Sequence, residues 1–580
     1  MNPTPSSEQV RRQRHTALFL ACVAVVLAPL VLRGTSCGQD FDFHFESWMG
    51  ASHQWLQGNL FPHWIASANY GAGEPRFIFY PPLSWILGGI LGTFLPWTWT
   101  PIVFTTLCLL AMGAACYKMA REWIPPDNAA LATCLYVINP YILFVVYERS
   151  ALAELLAAIW LPLLFLYALR PARVPTQTAW KHLQTSVPPL ALIIAALWLT
   201  DAPAAVMGSY ALAVIVAVAA ISERRFALIV RAVAGMALGL SLAAVYLIPA
   251  IYEQRWVEIA NAIGIGMRIQ DSFLFEHTGM AYHDQVLRTA SWIAVVLLAA
   301  TIIAAALCWR SRRLRTLRLP FSVLIALIAF LLFPISKPIW NHLPELRFLQ
   351  FPWRWLLVLG FIFATFAAAS LGGSIRARRG KIFRAAIVLA LAVLFTTHAW
   401  RHFWLLCDDQ DNIHAQLAAR EQGFEGTDEY TPDAADNAAI QQNLSPVRFV
   451  SSPQGDQADG SEENPDWQPD EHDLVPAIIQ IRRWNVEHMT AEIQSPQSGY
   501  AVLRLMDYPA WRVAVNGQPV SRHEHRGDGL LSVPIPAGTS TIDVRYAATP
   551  DIWAGRVVSL ASLTLWLALA AKSCRRRVIM

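Results

Sequence analysis

Twelve long apolar runs recur along this 580-residue chain, and they limit what it can fold into. Each run has about the 20 mostly apolar residues that a transmembrane helix needs. Only 15% of the residues are charged and 55% are apolar, which excludes an ordinary soluble domain. The sequence therefore predicts a mainly α-helical polytopic membrane protein. The predicted spans lie near 15–33, 99–119, 129–147, 152–169, 187–201, 203–221, 226–249, 290–309, 319–335, 353–373, 384–400 and 554–571.

The lysines and arginines predict the orientation of these spans, because positive charge is retained on the cytoplasmic side of a membrane. Arg11, Arg12 and Arg14 precede the first span, and basic clusters follow at alternate span ends. The apolar stretch 83–96 would break this alternation if it crossed, so we expect a re-entrant or interfacial helix there. Both termini are expected in the cytoplasm of a bacterium, with the chain in the cytoplasmic (inner) membrane.

The composition turns polar after residue 400 and then becomes strand-like. The predicted units are a transmembrane module at 1–400 with its first external loop at 34–98, an external linker or irregular lobe at 401–477, a small external β-sandwich at 478–553, and a last span with a cytoplasmic tail at 554–580. Many Asp, Gln, Asn, Glu and Pro residues indicate the linker. Short alternating segments and the Asn516-Gly517 turn indicate the β-sandwich.

The acidic segment that follows the first span contains the main candidates for catalysis. Asp40 and Asp42 alternate with phenylalanines, so an extended backbone would direct both carboxylates to one face, followed by His44. Such a cluster suits a general base or a site for a divalent cation such as Mg²⁺ or Mn²⁺. A polar loop without a function is the alternative. A helical spacing further along the loop predicts a helix on the membrane surface, with its apolar face formed by Phe45, Trp48, Met49, Trp55 and Leu56.

Two further external clusters hold candidates for binding an anionic substrate. These candidates are Glu148, Arg149, Glu154, Lys337, Arg347 and Arg354. An arginine such as Arg149 can bind a phosphate through two hydrogen bonds, or it can pair with a glutamate and tie two helices together. The last three cations lie among tryptophans, which fits an anionic lipid headgroup or an aromatic belt with snorkelling arginines.

Other classes of partner and bond receive less support from the sequence. No basic stripe with interleaved aromatic residues stands apart from the clusters at the span ends, so nucleic acid is not an expected partner. Cys37 and Cys407 are the cysteines in external segments. A disulfide between them is an option in an oxidising compartment, although no spacing rule supports it.

Several motifs resemble a known superfamily. They are the acidic segment, Gly58–Trp64, Gly71–Leu83, Phe351–Arg354, Gly426–Pro432 and Tyr508–Trp511. Together they resemble the GT-C superfamily of membrane glycosyltransferases. More closely, they resemble the bacterial and archaeal membrane proteins called 6-pyruvoyl-tetrahydropterin synthase-related. Pterin chemistry does not follow from that label, because no convincing zinc-binding histidine cluster is present.

The resemblance implies transfer of a hexosyl or pentosyl unit, with inversion, from a polyprenyl-phosphate donor to an extracytoplasmic acceptor. That acceptor could be a glycan, a lipid or a polymer. It also implies that Asp40, or as second choice Asp42, is the catalytic base beside His44, and that Arg76 joins the residues around the donor. Two rival functions come from other classes: a transporter or flippase of a lipid-linked saccharide, and a non-catalytic membrane protein of envelope assembly.

Overall fold

The computed structural model describes residues 7–170, 179–371, 378–407, 413–433, 435–440, 444–453, 474–520 and 526–578. Its α-helices are α1 (Ser7–Arg33), α2 (Phe41–Leu56), α3 (Ala68–Gly71), α4 (Arg76–Phe79), α5 (Pro82–Phe94), α6 (Thr100–Trp123), α7 (Pro126–Val137), α8 (Pro140–Phe144), α9 (Leu152–Ala157), α10 (Trp160–Leu169), α11 (Ala179–Trp198), α12 (Ala202–Ser222), α13 (Ala227–Leu242), α14 (Ala244–Glu253), α15 (Ala281–Leu307), α16 (Arg315–Leu331), α17 (Lys337–His342), α18 (Leu356–Ser370), α19 (Arg378–His402), α20 (Ile413–Gln422) and α21 (Pro550–Val578). Its strands are β1 (Val447–Val450), β2 (Ile478–Asn485), β3 (His488–Ser495), β4 (Gly499–Met506), β5 (Trp511–Val515), β6 (Gln518–Val520), β7 (Leu530–Ile535) and β8 (Gly538–Tyr546).

The helices agree with the predicted polytopic membrane fold. Within the described residues, ten helices are long and apolar enough to cross a membrane, or eleven if a bent pair counts as one span. That pair is α13 with α14, which replaces the single straight span predicted at 226–249 by two segments at 74°. The predicted span at 187–201 lies mostly in α11, of which Ser186–Trp198 is an apolar part. The stretch at 83–96 that was predicted not to cross is α5. This helix has 13 residues and is shorter than the roughly 20 that a membrane span needs.

The polar region folds into two antiparallel sheets that share one hydrophobic core. The strand orders are β1-β4-β7 and β2-β3-β8-β5-β6. Asn516 and Gly517 both have positive φ, which is the conformation that the tight turn from β5 to β6 requires. The predicted C-terminal β domain is therefore confirmed. The domain also includes β1, which lies in the segment predicted as a linker. This strand pairs along its whole length with β4.

The loop that follows the first span packs against the membrane helices through α2. Trp48 stacks on Phe104 of α6 with ring centroids 4.7 Å apart. Phe45 and Trp48 have no exposed surface and Met49 has only 3%. The predicted helix is therefore present. Phe45, Trp48 and Met49 of its apolar face are covered by protein, whereas Leu56 at its end is 76% exposed.

The loop is also tied to the segment after α19. A disulfide joins Cys37 to Cys407 across a sequence separation of 370. Beside it, the Ser36 Oγ accepts a hydrogen bond from the Leu405 N–H at 3.0 Å. The disulfide that the sequence left as an option is thus present, and it fixes the start of the acidic segment to the chain after α19.

Candidate active site

The acidic segment lies against the end of the third membrane span. The Asp40 N–H donates to the Arg149 carbonyl at 2.9 Å, and the Gly38 N–H donates to the Ser150 Oγ at 3.0 Å. A Cβ atom on Gly38 would lie 2.5 Å from the Glu148 carbonyl oxygen, so only glycine permits this approach. The two backbones therefore meet directly, and this contact places Asp40 beside Arg149.

Arg149 reaches the acidic segment from a π-helical turn, Val145–Arg149, that ends the third span. Such turns are uncommon and occur frequently at functional sites. Arg149 is fully buried and forms ion pairs with Asp40 Oδ2 at 2.9 Å and with Glu154 Oε2 at 2.5 Å. Arg354 lies 3.8 Å from the same Glu154 oxygen. Four predicted site residues thus form one row of alternating charge, here called the ion-pair row: Asp40, Arg149, Glu154 and Arg354.

Exposure differs sharply along the ion-pair row. The side chain of Asp40 is 36% exposed, whereas those of Glu154 and Arg354 are 4% and 10% exposed. The Phe351 ring lies between the two guanidinium groups, 5.5 Å from that of Arg149 and 5.3 Å from that of Arg354. Asp40 is therefore the carboxylate of the row that a substrate can reach most directly.

Three further residues also belong to this site. The Tyr141 hydroxyl donates to Glu154 Oε1 at 2.6 Å. Asp201 caps the start of α12 by accepting from the Ala204 N–H at 2.7 Å, and it interacts electrostatically with Arg354 and Glu154. Tyr80 approaches His44. A signal for Asp201 was present in the sequence, since an Asp followed two residues later by Pro is a common helix start.

His44 holds α2 in place by hydrogen bonds at both ring nitrogens. Its Nε2 accepts from the Leu152 N–H at 3.1 Å, which assigns the proton of the neutral ring to Nδ1 and makes Nδ1 the donor toward the Tyr80 hydroxyl at 3.3 Å. Burial lowers the pKa of His44 to about 4, so the ring is neutral at pH 7. The basic nitrogen is therefore already occupied by the Leu152 amide.

Asp42 does not share a face with Asp40, because residues 41–56 are helical and not extended. Side chains that are two positions apart on a helix point in directions about 200° apart around its axis. Burial raises the pKa of Asp42, and one of its oxygens accepts the Phe43 N–H at 2.8 Å. No group of three His, Cys, Asp or Glu side chains among the described residues could hold a metal ion. Asp40, Asp42 and His44 therefore do not fit the three-residue cation site that the sequence suggested.

Arg76 lies in a second buried cluster, here called the Arg76 cluster. Its guanidinium contacts Glu74 Oε1 at 2.5 Å, Glu46 Oε2 at 3.2 Å and Thr427 Oγ1 at 3.1 Å. It also covers the Phe43 ring, whose centroid lies 4.3 Å away. These partners come from the first loop and from the segment before the β-sandwich. The structure thus gives Arg76 a connecting position between two parts of the chain.

Of the other predicted substrate-binding residues, two lie at the surface and the third is the chain neighbour of Arg149. Lys337 and Arg347 are exposed, and Arg347 lies over the ring of Phe348. Glu148 is buried and interacts electrostatically with Tyr282. Proximity in the sequence does not show which side chains of a cluster converge, so the roles of these three residues stay predictions.

Comparisons with known proteins give matches to solved structures only. The chain is similar to the arabinofuranosyltransferase AftD from Mycobacteria, with 12% identity and a TM-score of 0.43, over 92% of this chain and 57% of that one. It is also similar to the oligosaccharyltransferase of Archaeoglobus fulgidus in the apo form, with 12% identity and a TM-score of 0.43, over 72% of this chain and 60% of that one. The chain thus spans less than two thirds of each structure. No protein-family model and no curated protein matches it.

Proposed function

We propose that this protein is a membrane glycosyltransferase of the GT-C type, which moves a sugar from a polyprenyl-phosphate donor to an extracytoplasmic acceptor. The observation that carries the proposal is the ion-pair row, which is built at the ends of three membrane spans. Ionisable groups at this depth are costly, and they commonly mark functional sites. The motifs that resemble the superfamily suggest the type of reaction. The ion-pair row provides the carboxylates and cations that this reaction needs.

Asp40 is the proposed general base. Its carboxylate would take the proton from an acceptor hydroxyl while the hydroxyl oxygen attacks the anomeric carbon. The bond between that carbon and the phosphate oxygen breaks, the phosphate leaves with the electron pair, and the configuration inverts. Arg149 orients the carboxylate, because it holds Asp40 and Glu154 simultaneously. Asp42 is the second candidate, since its raised pKa makes it the stronger base when ionised.

Arg354 is the proposed partner of the leaving phosphate. Its side chain keeps 10% of its surface exposed, whereas that of Arg149 is fully buried between two carboxylates. A cation at this point would stabilise the negative charge that develops on the leaving oxygen. The Cys37–Cys407 disulfide supports an oxidising, extracytoplasmic location for this side of the protein. The β-sandwich would then be external and both termini cytoplasmic.

The test is sugar transfer by the purified protein in liposomes, with labelled pentosyl and hexosyl polyprenyl phosphates as donors. We expect Asp40→Asn to reduce the rate about 100-fold or more, the usual contribution of a positioned base. Glu276→Gln, at an exposed carboxylate outside the row and outside the motifs that resemble the superfamily, is the control and should keep the wild-type rate. Wild-type rates in both Asp40→Asn and Asp42→Asn would exclude the assigned bases.

Two further arms separate the remaining alternatives. Addition of EDTA tests the divalent cation that the sequence suggested, because a cation bound with the donor would make transfer sensitive to the chelator. If the wild type transfers no sugar from any donor, labelled lipid movement between leaflets is measured next. Movement without transfer would favour a flippase, and the absence of both would favour a role in envelope assembly.

A further inference from the structure

Two buried carboxyl groups, here called the carboxyl pair, lie where the β-sandwich, the bent pair of helices and the last helix meet. Glu253 is the last residue of α14 and has no exposed surface. Asp551 is the second residue of α21 and is 6% exposed. Neither residue belongs to the ion-pair row or to the Arg76 cluster. Charges buried this deeply are normally paired or neutralised, so the carboxyl pair needs a compensating positive charge.

Hydroxyl groups from two other parts of the chain are directed at Glu253. The Tyr508 hydroxyl donates to its Oε2 at 2.5 Å, and the Thr549 hydroxyl donates to its Oε1 at 3.0 Å. Tyr508 lies between β4 and β5, and Thr549 directly precedes α21. Both residues are buried. The Glu253 carboxyl group therefore ties α14 to the β-sandwich and to the start of α21.

Asp551 is held close to Glu253 by the same contacts. It follows Thr549 by two residues, in the first turn of α21, and its carboxyl group interacts directly with that of Glu253. Among the described residues, no N–H or hydroxyl group donates a hydrogen bond to either Asp551 oxygen. A hydrogen bond between two carboxyl groups requires a proton on one of them. One shared proton would therefore supply the bond that joins the carboxyl pair.

Other titratable groups lie around the carboxyl pair. The Tyr546 phenol interacts electrostatically with both carboxyl groups, and it also interacts with Glu487, a further acid. His63 stacks on the Tyr546 ring with centroids 5.5 Å apart. Burial lowers the pKa of His63 to about 4, so this imidazole is neutral at pH 7. None of these groups supplies positive charge to the carboxyl pair at neutral pH.

The arginines on or beside the same two helices are directed elsewhere. Arg556 of α21 contacts His63 Nε2 at 3.4 Å, and Arg255, just after α14, lies over the Tyr252 ring at 3.7 Å. In the part of the chain that the structure describes, neither carboxyl group forms an ion pair with a cation. That part also contains no group of three His, Cys, Asp or Glu side chains that could hold a metal ion. A proton is therefore the compensating charge that fits this site.

Two carboxylates that share one buried site repel each other, so they do not both ionise at neutral pH. We propose that Glu253 and Asp551 share one proton, and that this proton holds the β-sandwich and α21 against α14. Removal of the proton leaves two adjacent carboxylates, whose repulsion separates α14 from the start of α21. The carboxyl pair is thus a pH-sensitive latch at the base of the β-sandwich. Its existence does not depend on the proposed transfer reaction.

Infrared spectroscopy of the full-length protein in detergent tests for the proton directly. At pH 7 we expect a component of the C=O stretching band of protonated carboxyl groups that is missing from both Glu253→Gln and Asp551→Asn, because either change removes the shared proton. Glu276→Gln, at an exposed carboxylate, is the matched control and should keep this component. In the wild type the component should disappear at about pH 8–9, the upper range for buried carboxyl groups.

Melting curves at several pH values test the latch. The folded protein retains a proton that the unfolded chain releases, so its stability falls as pH rises, and the unfolding equilibrium constant should increase up to about tenfold per pH unit. The side-chain amide of Gln or Asn can donate the hydrogen bond that the proton supplied. Both variants should therefore fold, show a smaller dependence on pH, and melt above the wild type at about pH 9.

Four results would overturn the proposal. The wild type could lack the infrared component, or the component could persist in both variants. Both amide variants could depend on pH as steeply as the wild type, or both could fail to fold although they keep the hydrogen bond. A calcium arm adds a fifth. If Ca²⁺ raises the melting temperature of the wild type but not of Asp551→Asn, and EDTA lowers it, the carboxyl pair binds a divalent cation in place of a proton.

Discussion

Replacement of Arg76 by methionine should destabilise the contact between the first loop and the Thr427 segment, without acting directly on the proposed donor. The guanidinium is 2% exposed and lies against a Glu74 carboxylate that has no exposed surface. Burial raises the pKa of Glu46 to about 8, so at neutral pH Glu46 is mostly a neutral partner and Glu74 is the carboxylate that depends on Arg76. Removal of one member of such a buried pair costs about 3–5 kcal/mol, because the other charge is left uncompensated.

A double-mutant cycle measures this dependence. Arg76→Met should lose about 3–5 kcal/mol of local stability, read as faster hydrogen exchange in the segment around Thr427. Combined with Glu74→Gln, it should lose at least about 1 kcal/mol less than the sum of the two single changes, because the second change removes the unpaired charge. The control is Arg545→Met, whose side chain is 63% exposed.

The result that would refute this reasoning is specific. If Arg76→Met keeps wild-type hydrogen exchange and wild-type melting while its KM for the lipid donor rises, Arg76 binds the donor, as the resemblance implied. If the two changes are additive, Glu74 and Arg76 do not depend on each other, and the buried pair is not what connects the first loop to the Thr427 segment.

Three further predictions concern pH, backbone contact and the disulfide. Because burial raises the pKa of Glu46 to about 8 from its ordinary value of 4.5, the folded protein binds the extra proton and stability should fall as pH rises between these values; melting curves of Glu46→Gln should show a smaller slope. Gly38→Ala should abolish transfer, because its Cβ would overlap the Glu148 carbonyl at 2.5 Å; wild-type activity would contradict the contact. Serine at both Cys37 and Cys407 should lower the free energy of unfolding by about 2–5 kcal/mol, and non-reducing gels of the wild type should show the bond.

The elements set by local patterns were predictable from the sequence. Short alternating segments and the Asn516-Gly517 turn predicted the β domain, and this turn joins β5 to β6. Apolar runs predicted where helices lie, because a lipid environment demands about 20 such residues in succession. The bend between α13 and α14 was missed, since both halves are equally apolar and nothing in the composition marks the break at Ala243.

The acidic segment shows how a local pattern can be read wrongly. Two alternations of Asp and Phe are too few to identify a strand. An aspartate that is followed by further acidic residues is just as typical of the start of a helix. The structure makes Asp40 the cap residue of α2. Its side chain forms no capping hydrogen bond and pairs instead with Arg149. The prediction of one shared carboxylate face was therefore wrong.

The convergence of the site could not be derived from spacing. Asp40 and Arg149 are separated by 109 residues, and Arg76 and Thr427 by 351. Tyr141 was missed because it looks like any aromatic residue of a span until Glu154 is placed against it. Residue types thus indicated charged clusters, while the packing of the spans determined which members meet.

The bond between Cys37 and Cys407 sets an order for the making of the protein. Its two cysteines are separated by 370 residues, which takes roughly 20–75 s to synthesise at about 5–20 residues per second. During that time the Cys37 side chain remains a thiol. The neighbouring Ser36 cannot yet form its hydrogen bonds with the Leu405 backbone. The acidic loop therefore acquires its final anchor late in biogenesis. A chain cut between residues 354 and 407 carries every member of the ion-pair row and still lacks this anchor.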